Sequence, residues 1–338
     1  MKVENPKISA VIITDGDVNV INAIDSIYET CYEIILVNTV KTEKVKELTR
    51  NYKKVRYFYF KWVNDFSKAR NYGIKKAKGD WILTIDDDEV LKFPKVIKTL
   101  DTDYLAYMTK QVSHGQISEG KGFWTARLFQ NNKGIFYKGK VHETIDHLLD
   151  SFSCVNSDII LDHSGYDITE DEMQKKLQRN YKIMMTDKKN IMYNVHMGSL
   201  YTARKEYKQA ILFFNAAMKD RLNDAHFAVI QNNIHICHFL MEEPLEILLT
   251  DLKRSLMYEP FQYYARVNIL EHLLSVMNED NKGKYIFLIR EQLEKIERIF
   301  NDGLSNLLFN EITMTQEYID QKYEELKKWD NTIERIAI

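Results

Sequence analysis

Four consecutive acids, Asp86-Asp87-Asp88-Glu89, close the apolar run Trp81 to Ile85 in the segment WILTIDDDE. Carboxylates this close repel one another, and a chain gains nothing for its own folding by gathering them where a strand leaves the core. They predict a positive partner. Mg2+ or Mn2+ suits the position, because a hard cation selects oxygen ligands and takes one or two carboxylates together with a substrate's phosphates. The alternative is a solvated acidic loop that caps the next helix. Position favours a site, since ligands of open α/β sheets bind outside the carboxyl ends of strands.

Other residues near this cluster carry chemistry of their own. In WVNDFSKARNYG, Asp65 or Ser67 supplies the N-cap of a helix predicted to run through Lys78 and stop at Gly79. Arg70 and Asn71 near its start are placed to meet an anion. The guanidinium fork fits phosphate oxygens, and it fits equally an ion pair with a carboxylate of the 86–89 cluster. Further on, GKVHE holds His142-Glu143 and ILDHSGYD holds His163-Ser164-Gly165-Tyr166. Histidine is a metal ligand and a proton carrier near neutral pH, and a glutamate beside it can act as a general base.

These side chains need a frame. The β-rich runs Ile8–Thr14, Glu33–Asn38, Val55–Phe60 and Trp81–Ile85 alternate with helical stretches Val20–Thr30 and Glu43–Tyr52. That order predicts βαβ units and a mainly parallel sheet, a nucleotide-binding architecture. Past about residue 165 nearly everything reads as helix. The expected division is therefore an α/β domain over 1–166 and an all-α domain over 167–338. Within the second, Met197, Gly198, Tyr201, Ala210, Phe214 and Ala217 fall at tetratricopeptide spacings. A degenerate second copy runs through 227–260, with Leu248, Leu252, Ser255 and Pro260; a plain helical bundle is the alternative. A last amphipathic helix is expected over 317–338. Such scaffolds present a concave surface to a peptide or to another subunit, so a homodimer through the helical half is among the expected partners.

Composition narrows the partners. Net charge is −2, from 47 basic and 49 acidic residues, which leaves no electrostatic footprint for nucleic acid or an anionic membrane. The N-terminal apolar run is too short for a signal peptide or a membrane span, and no transmembrane segment is expected anywhere. Cys31, Cys154 and Cys237 lie far apart and match no metal spacing, which fits a reducing cytoplasm.

Taken in order, WxNDFSxARNxG, GDWILTIDDDE, the RLF of Arg127 to Phe129, GKVHE, HSGY and the tetratricopeptide-like tail resemble the family 2 glycosyltransferases of GT-A fold. Within that family the tail and NDFSxARN look most like the sublancin-type peptide glycosyltransferases, which attach sugars to cysteine or serine of bacteriocin precursors. Cell-envelope and lipopolysaccharide transferases share several of these motifs and are the alternative. The resemblance implies a cytoplasmic, metal-dependent, inverting transferase that uses a UDP-sugar and a peptide or protein acceptor. It aligns Asp86 and Asp88 with the family's D-x-D pair, Asp88 as the metal ligand and Asp86 near the ribose or the metal shell. Asp87, beside the donor, departs from the small residue common at the middle position. Thr14, Asp15 and Asn38 stand where relatives contact the nucleotide, although Asp15 and Asn38 replace the usual side chains, and Arg70 is a further donor contact. Glu143 or His142 is the implied base. A degenerate GT-A domain that only binds is the rival from another class.

Overall fold

The computed structural model describes residues 1–92, 97–113, 122–145, 148–149, 153–163, 169–304 and 314–330. The chain forms two compact units, Met1–Lys188 and Lys189–Ile338. The boundary expected at 166/167 lies outside the described residues.

The first unit is built on an eight-stranded mixed sheet. Its strands are β2 (Ile8–Thr14), β3 (Glu33–Asn38), β4 (Val55–Tyr59), β5 (Trp81–Asp86), β6 (Glu89–Lys92), β8 (Ala106–Ser113), β9 (Phe123–Gln130) and β10 (Cys154–His163), in the order β4-β3-β2-β5-β9-β8-β10-β6. A separate ribbon pairs β1 (Lys2–Glu4) with β7 (Thr99–Asp101). The pairs β4–β3, β3–β2, β2–β5 and β8–β10 are parallel. The pairs β5–β9, β9–β8 and β10–β6 are antiparallel.

Every residue of β2 and β3 is buried, as strands covered on both faces must be. The period of two sorts their side chains into two layers. Ile12, Ile34 and Leu36 join Ile24 and Ile27 of α1 (Val20–Ile27), while Val11, Ile13, Ile35 and Val37 pack on the face of α3 (Phe66–Ile74) with Ala69. A Cβ on Gly73 would come 2.5 Å from Val11, so glycine is what lets α3 lie this close.

Helices end earlier than their patterns predict. α1 stops at Ile27, α2 covers only Lys44–Leu48, and α3 stops at Ile74 rather than Lys78. The last case has a clear cause. The Lys78 N–H donates to Glu33 (2.5 Å), the Gly79 N–H to Ser9 Oγ (2.7 Å), and the Lys76 carbonyl accepts from Arg56 (2.8 Å). Sheet side chains thus take the backbone groups that a fourth helical turn would have used.

After β10 comes α4 (Glu170–Met184), which belongs to the first unit. It opens with a capping box between Thr169 and Glu172. The second unit runs α5 (Tyr193–Ala203), α6 (Tyr207–Ala217), α7 (Asp224–Leu240), α8 (Leu245–Tyr258), α9 (Tyr263–Val276), α10 (Lys282–Asp302) and α11 (Gln316–Lys327). The tetratricopeptide spacing is realised in α5 and α6: Ala210, Phe214 and Ala217 are fully buried, and a Cβ on Gly198 would meet the Phe214 ring at 2.5 Å. Leu248, Leu252 and Ser255 are buried on α8 in the same manner. No helix among the described residues is long and apolar enough to cross a membrane.

Candidate active site

The register of the sheet puts Ile13 opposite Asp86 and Thr14 opposite Asn38, so β2, β3 and β5 finish at one edge. A cleft of about 1540 Å³ opens there, wholly within the first unit. The four acids divide at a tight turn. Asp86 is the last residue of β5, Asp87 and Asp88 form the turn, and Glu89 begins β6 and is fully buried.

Two arginines explain how the cluster is tolerated. Arg70 Nη2 donates to Asp86 Oδ1, and Arg127 Nη2 donates to Asp86 Oδ2 at 2.9 Å. Both carboxylate oxygens of Asp86 are therefore engaged. Arg127 also lies 3.4 Å from Glu89 Oε1, which accepts from Gln111 as well, while Glu89 Oε2 accepts the Asp86 N–H at 2.8 Å. Burial works against ionisation of Asp86, but Arg127 and Arg70 outweigh it and hold the carboxyl well below its ordinary range. Of the two roles open to Arg70 in the sequence, the structure realises the ion pair. Its Nη1 is buried without a partner among the described residues.

Asp87 and Asp88 are left at the mouth. Burial, with Asp88, Asp86 and Asp15 nearby, pushes the Asp87 carboxyl up to about 7, against the pull of the Thr14 hydroxyl. Asp88 is 37% exposed and sits 3.3 Å from His163 Nε2. Burial opposes a charge on His163, yet the hydrogen bond to Asp88, with Glu89 and Asp86 behind it, holds the imidazole above its ordinary value. Among the described residues no group of three His, Cys, Asp or Glu side chains is disposed to cage a metal. A cation that draws most of its shell from phosphate and water needs only one or two carboxylates. The oxygen donors at Asp88 and Asp87 fit that demand. Asp86, expected in the metal shell, is occupied by guanidinium groups instead, because β9 brings Arg127 alongside β5.

His142 and Glu143 arrive on a hairpin. Lys138 and Thr144 exchange backbone hydrogen bonds of 3.0 Å, and positive φ at Gly139 (97°) and His142 (53°) folds the chain between them. The tip is tied down: the Lys140 carbonyl accepts the Phe66 N–H (2.9 Å), and Lys140 Nζ reaches the Thr186 carbonyl (3.0 Å). Glu143 Oε1 accepts from Arg70 Nε at 2.6 Å. One guanidinium thus spans Glu143 and Asp86. His142 lines the cleft, where crowding by protein pushes its imidazole below the ordinary value, Lys176 adds to that and Glu143 opposes it.

Thr14, Asp15, Arg70, Asp86, Asp87, Asp88, His142 and Glu143 all line this one cleft. Asn38 does not. It is fully buried, its amide donates to Tyr57 Oη (3.1 Å) and its oxygen accepts the Val40 N–H (3.1 Å), so it shapes the loop after β3. The sequence had assigned no role to Glu89, Arg127 or the cations of α4. A signal existed for Arg127: a lone charge in the apolar strand FWTARLFQ must be paired where it is buried.

The family model for glycosyl transferase family 2 matches residues 17–205. The glycosyltransferase SunS of Bacillus subtilis is 26% identical over 198 residues, covering 54% of this chain and 45% of its own. A TPR repeat-containing protein of Synechococcus elongatus is 28% identical over 130 residues, 37% of this chain and 31% of its own. Thus the chain spans less than half the length of the curated relatives it matches. Among solved structures, the mannosyltransferase PcManGT of Pyrobaculum calidifontis in complex with GDP-Man and Mn2+ is similar at TM-score 0.44 and 10% identity, over 88% of this chain and 87% of that one. The family match takes in the acidic turn, both arginines and the His142–Glu143 hairpin and extends over more than half of the chain; this protein, a GT-A α/β domain followed by tetratricopeptide-like helices, belongs to glycosyl transferase family 2.

Proposed function

We propose that the chain transfers a sugar from a UDP-sugar to a cysteine, serine or threonine of a peptide, with inversion at the anomeric carbon and with Mg2+ or Mn2+. The observation that carries this reading is the division of labour among the carboxylates. Asp86 and Glu89 are consumed by arginines, Asp87 and Asp88 face the cleft, and Glu143 is held at a set distance from them by Arg70. Asp88, with Asp87 beside it, would hold the divalent cation, which would supply Lewis-acid neutralisation of the leaving diphosphate. Thr14 and Asp15 at the end of β2 border the same cleft and suit the donor's nucleotide part.

Glu143 is the proton acceptor in this reading. Arg70 fixes Oε1, which leaves Oε2 for an acceptor hydroxyl or thiol and keeps the side chain from swinging. A thiol acceptor asks less of this base, because thiolates form far more readily than alkoxides. The peptide acceptor rests on the resemblance of NDFSxARN and the helical tail to sublancin-type transferases.

The test is Glu143→Gln, which keeps shape while removing the proton acceptor. Transfer to a serine peptide should fall by about 100-fold or more with UDP affinity unchanged. An equal loss of UDP affinity would assign Glu143 to holding Arg70 in place.

A further inference from the structure

Three cations of α4 are arranged unlike most of those on α10 and α11. On α10 and α11, Arg290, Lys295, Arg298, Lys322 and Lys327 each have a carboxylate three or four residues away as an ion-pair partner. On α4 the acids Glu170, Asp171 and Glu172 are confined to the first turn, where they complement the helix dipole. Lys175, Arg179 and Lys182 follow at helical spacing, and none has a salt bridge among the described residues. Arg179 instead lies 5.3 Å over the Phe66 ring, which orients its guanidinium without neutralising it.

These three cations line a groove of about 700 Å³ along α4 together with Asn64, Gln174 and Gln178, and no carboxylate lines it among the described residues. Lys175 and Arg179 also line the cleft that holds His142 and Glu143, so the groove and the cleft share a wall. The far end of the cleft is acidic and the approach along α4 is basic. In a chain of net charge −2 this is a local field, on the wall that the groove shares with the cleft.

We infer that this groove is the entry path of the acceptor and that it selects an acidic, extended peptide segment flanking the modified residue. Charge complementarity comes from Lys175, Arg179 and Lys182. The amide of Asn64 at the edge of the groove carries both donors and an acceptor, the groups that pair with the carbonyl and N–H groups of an extended backbone. The inference rests on the peptide-acceptor reading and adds the chemistry of the peptide.

The test uses the full chain and three labelled twelve-residue probes, each Gly/Ser-based with one central cysteine: one carrying four Glu, one with those Glu replaced by Gln, and one with Lys. Fluorescence anisotropy in low salt should show the Glu peptide binding at least tenfold tighter than the Gln peptide, with the Lys peptide weakest and the preference fading as salt rises. Lys175→Gln combined with Lys182→Gln should erase the preference, and Lys175→Arg with Lys182→Arg should retain it. Equal binding of Glu and Gln peptides, or a preference untouched by the Gln variant, overturns the inference. So does tighter binding of a polyphosphate chain than of the Glu peptide, which would assign the groove to a phosphate-bearing polymer. Transfer that proceeds equally to Glu and Gln peptides would sink the groove alone; selective binding of the Glu peptide without transfer to any peptide would sink the proposed function and leave the groove.

Discussion

In the α/β unit, Arg70 and Arg127 share Asp86, with Glu89 and Glu143 as flanking acceptors. In the helical unit, Asn232 donates to Gln262 (2.8 Å), Gln262 donates to Ser255 (2.8 Å), and His235 and His272 face each other through their Nε2 atoms at 2.8 Å. The first network consists of full charges beside a cleft, the second of amides, hydroxyls and imidazoles between helices. A buried charge is tolerated only while its partner is present, so the ionic network holds a fixed geometry at the cost of fragility. The neutral network contributes less and loses less when a member is removed.

That contrast predicts a ranking. Arg127→Met, which leaves Asp86 and Glu89 short of positive charge, should destabilise the α/β unit by about 3–5 kcal/mol. Urea unfolding followed through Trp62, Trp81 and Trp124 in a Trp329→Phe background reads that unit; a loss below about 1 kcal/mol would mean that water already screens the network.

Charging the neutral network should come next. Burial, with His272 and His238 adding to it, lowers His235 to about 4. The folded state therefore resists a proton that the unfolded chain accepts near 6.5. Stability from this residue is complete above about 6.5 and is lost as pH falls toward 4, by about 3 kcal/mol in total. Thermal melts between pH 7 and 4 should show that slope, and His235→Gln should flatten it. An unchanged slope in the variant would move the effect to another group.

The smallest loss is expected for Gln262→Ala. It strands the Asn232 amide and removes the donor shared by Ser255 Oγ and the Glu259 carbonyl without introducing charge, at a cost of about 1–3 kcal/mol. Urea unfolding followed through Trp329 measures it. A cost equal to that of Arg127→Met would erase the distinction between the two networks.

Much of this molecule was legible in local pattern. Ile8–Thr14 and Glu33–Asn38 form strands with the expected ends because short apolar runs bounded by polar residues have no other way to bury both faces. Asp65 caps α3 as expected, accepting the Lys68 N–H at 3.0 Å, since an aspartate three residues before a free N–H can reach it unaided. The tetratricopeptide spacing is equally local: Gly198 and Phe214 meet because two short helices fold back on each other.

What the four acids do was not local. Asp86 is 16 residues from Arg70 and 41 from Arg127, and Glu143 is 73 from Arg70. Those pairs exist because the sheet places β9 beside β5 and because a hairpin carries Glu143 to the start of α3. Asn38 turned away for the same reason, since Tyr57 on the neighbouring strand supplied a partner. Periodicity and capping are decided within a few residues, so the sequence alone determined which of these elements form, while the end of α3 was set by side chains of the sheet. A charge, in contrast, answers to whatever lies within a few ångströms in space. Which carboxylates are consumed and which face the cleft was decided by strand order, and only the tertiary structure contains it.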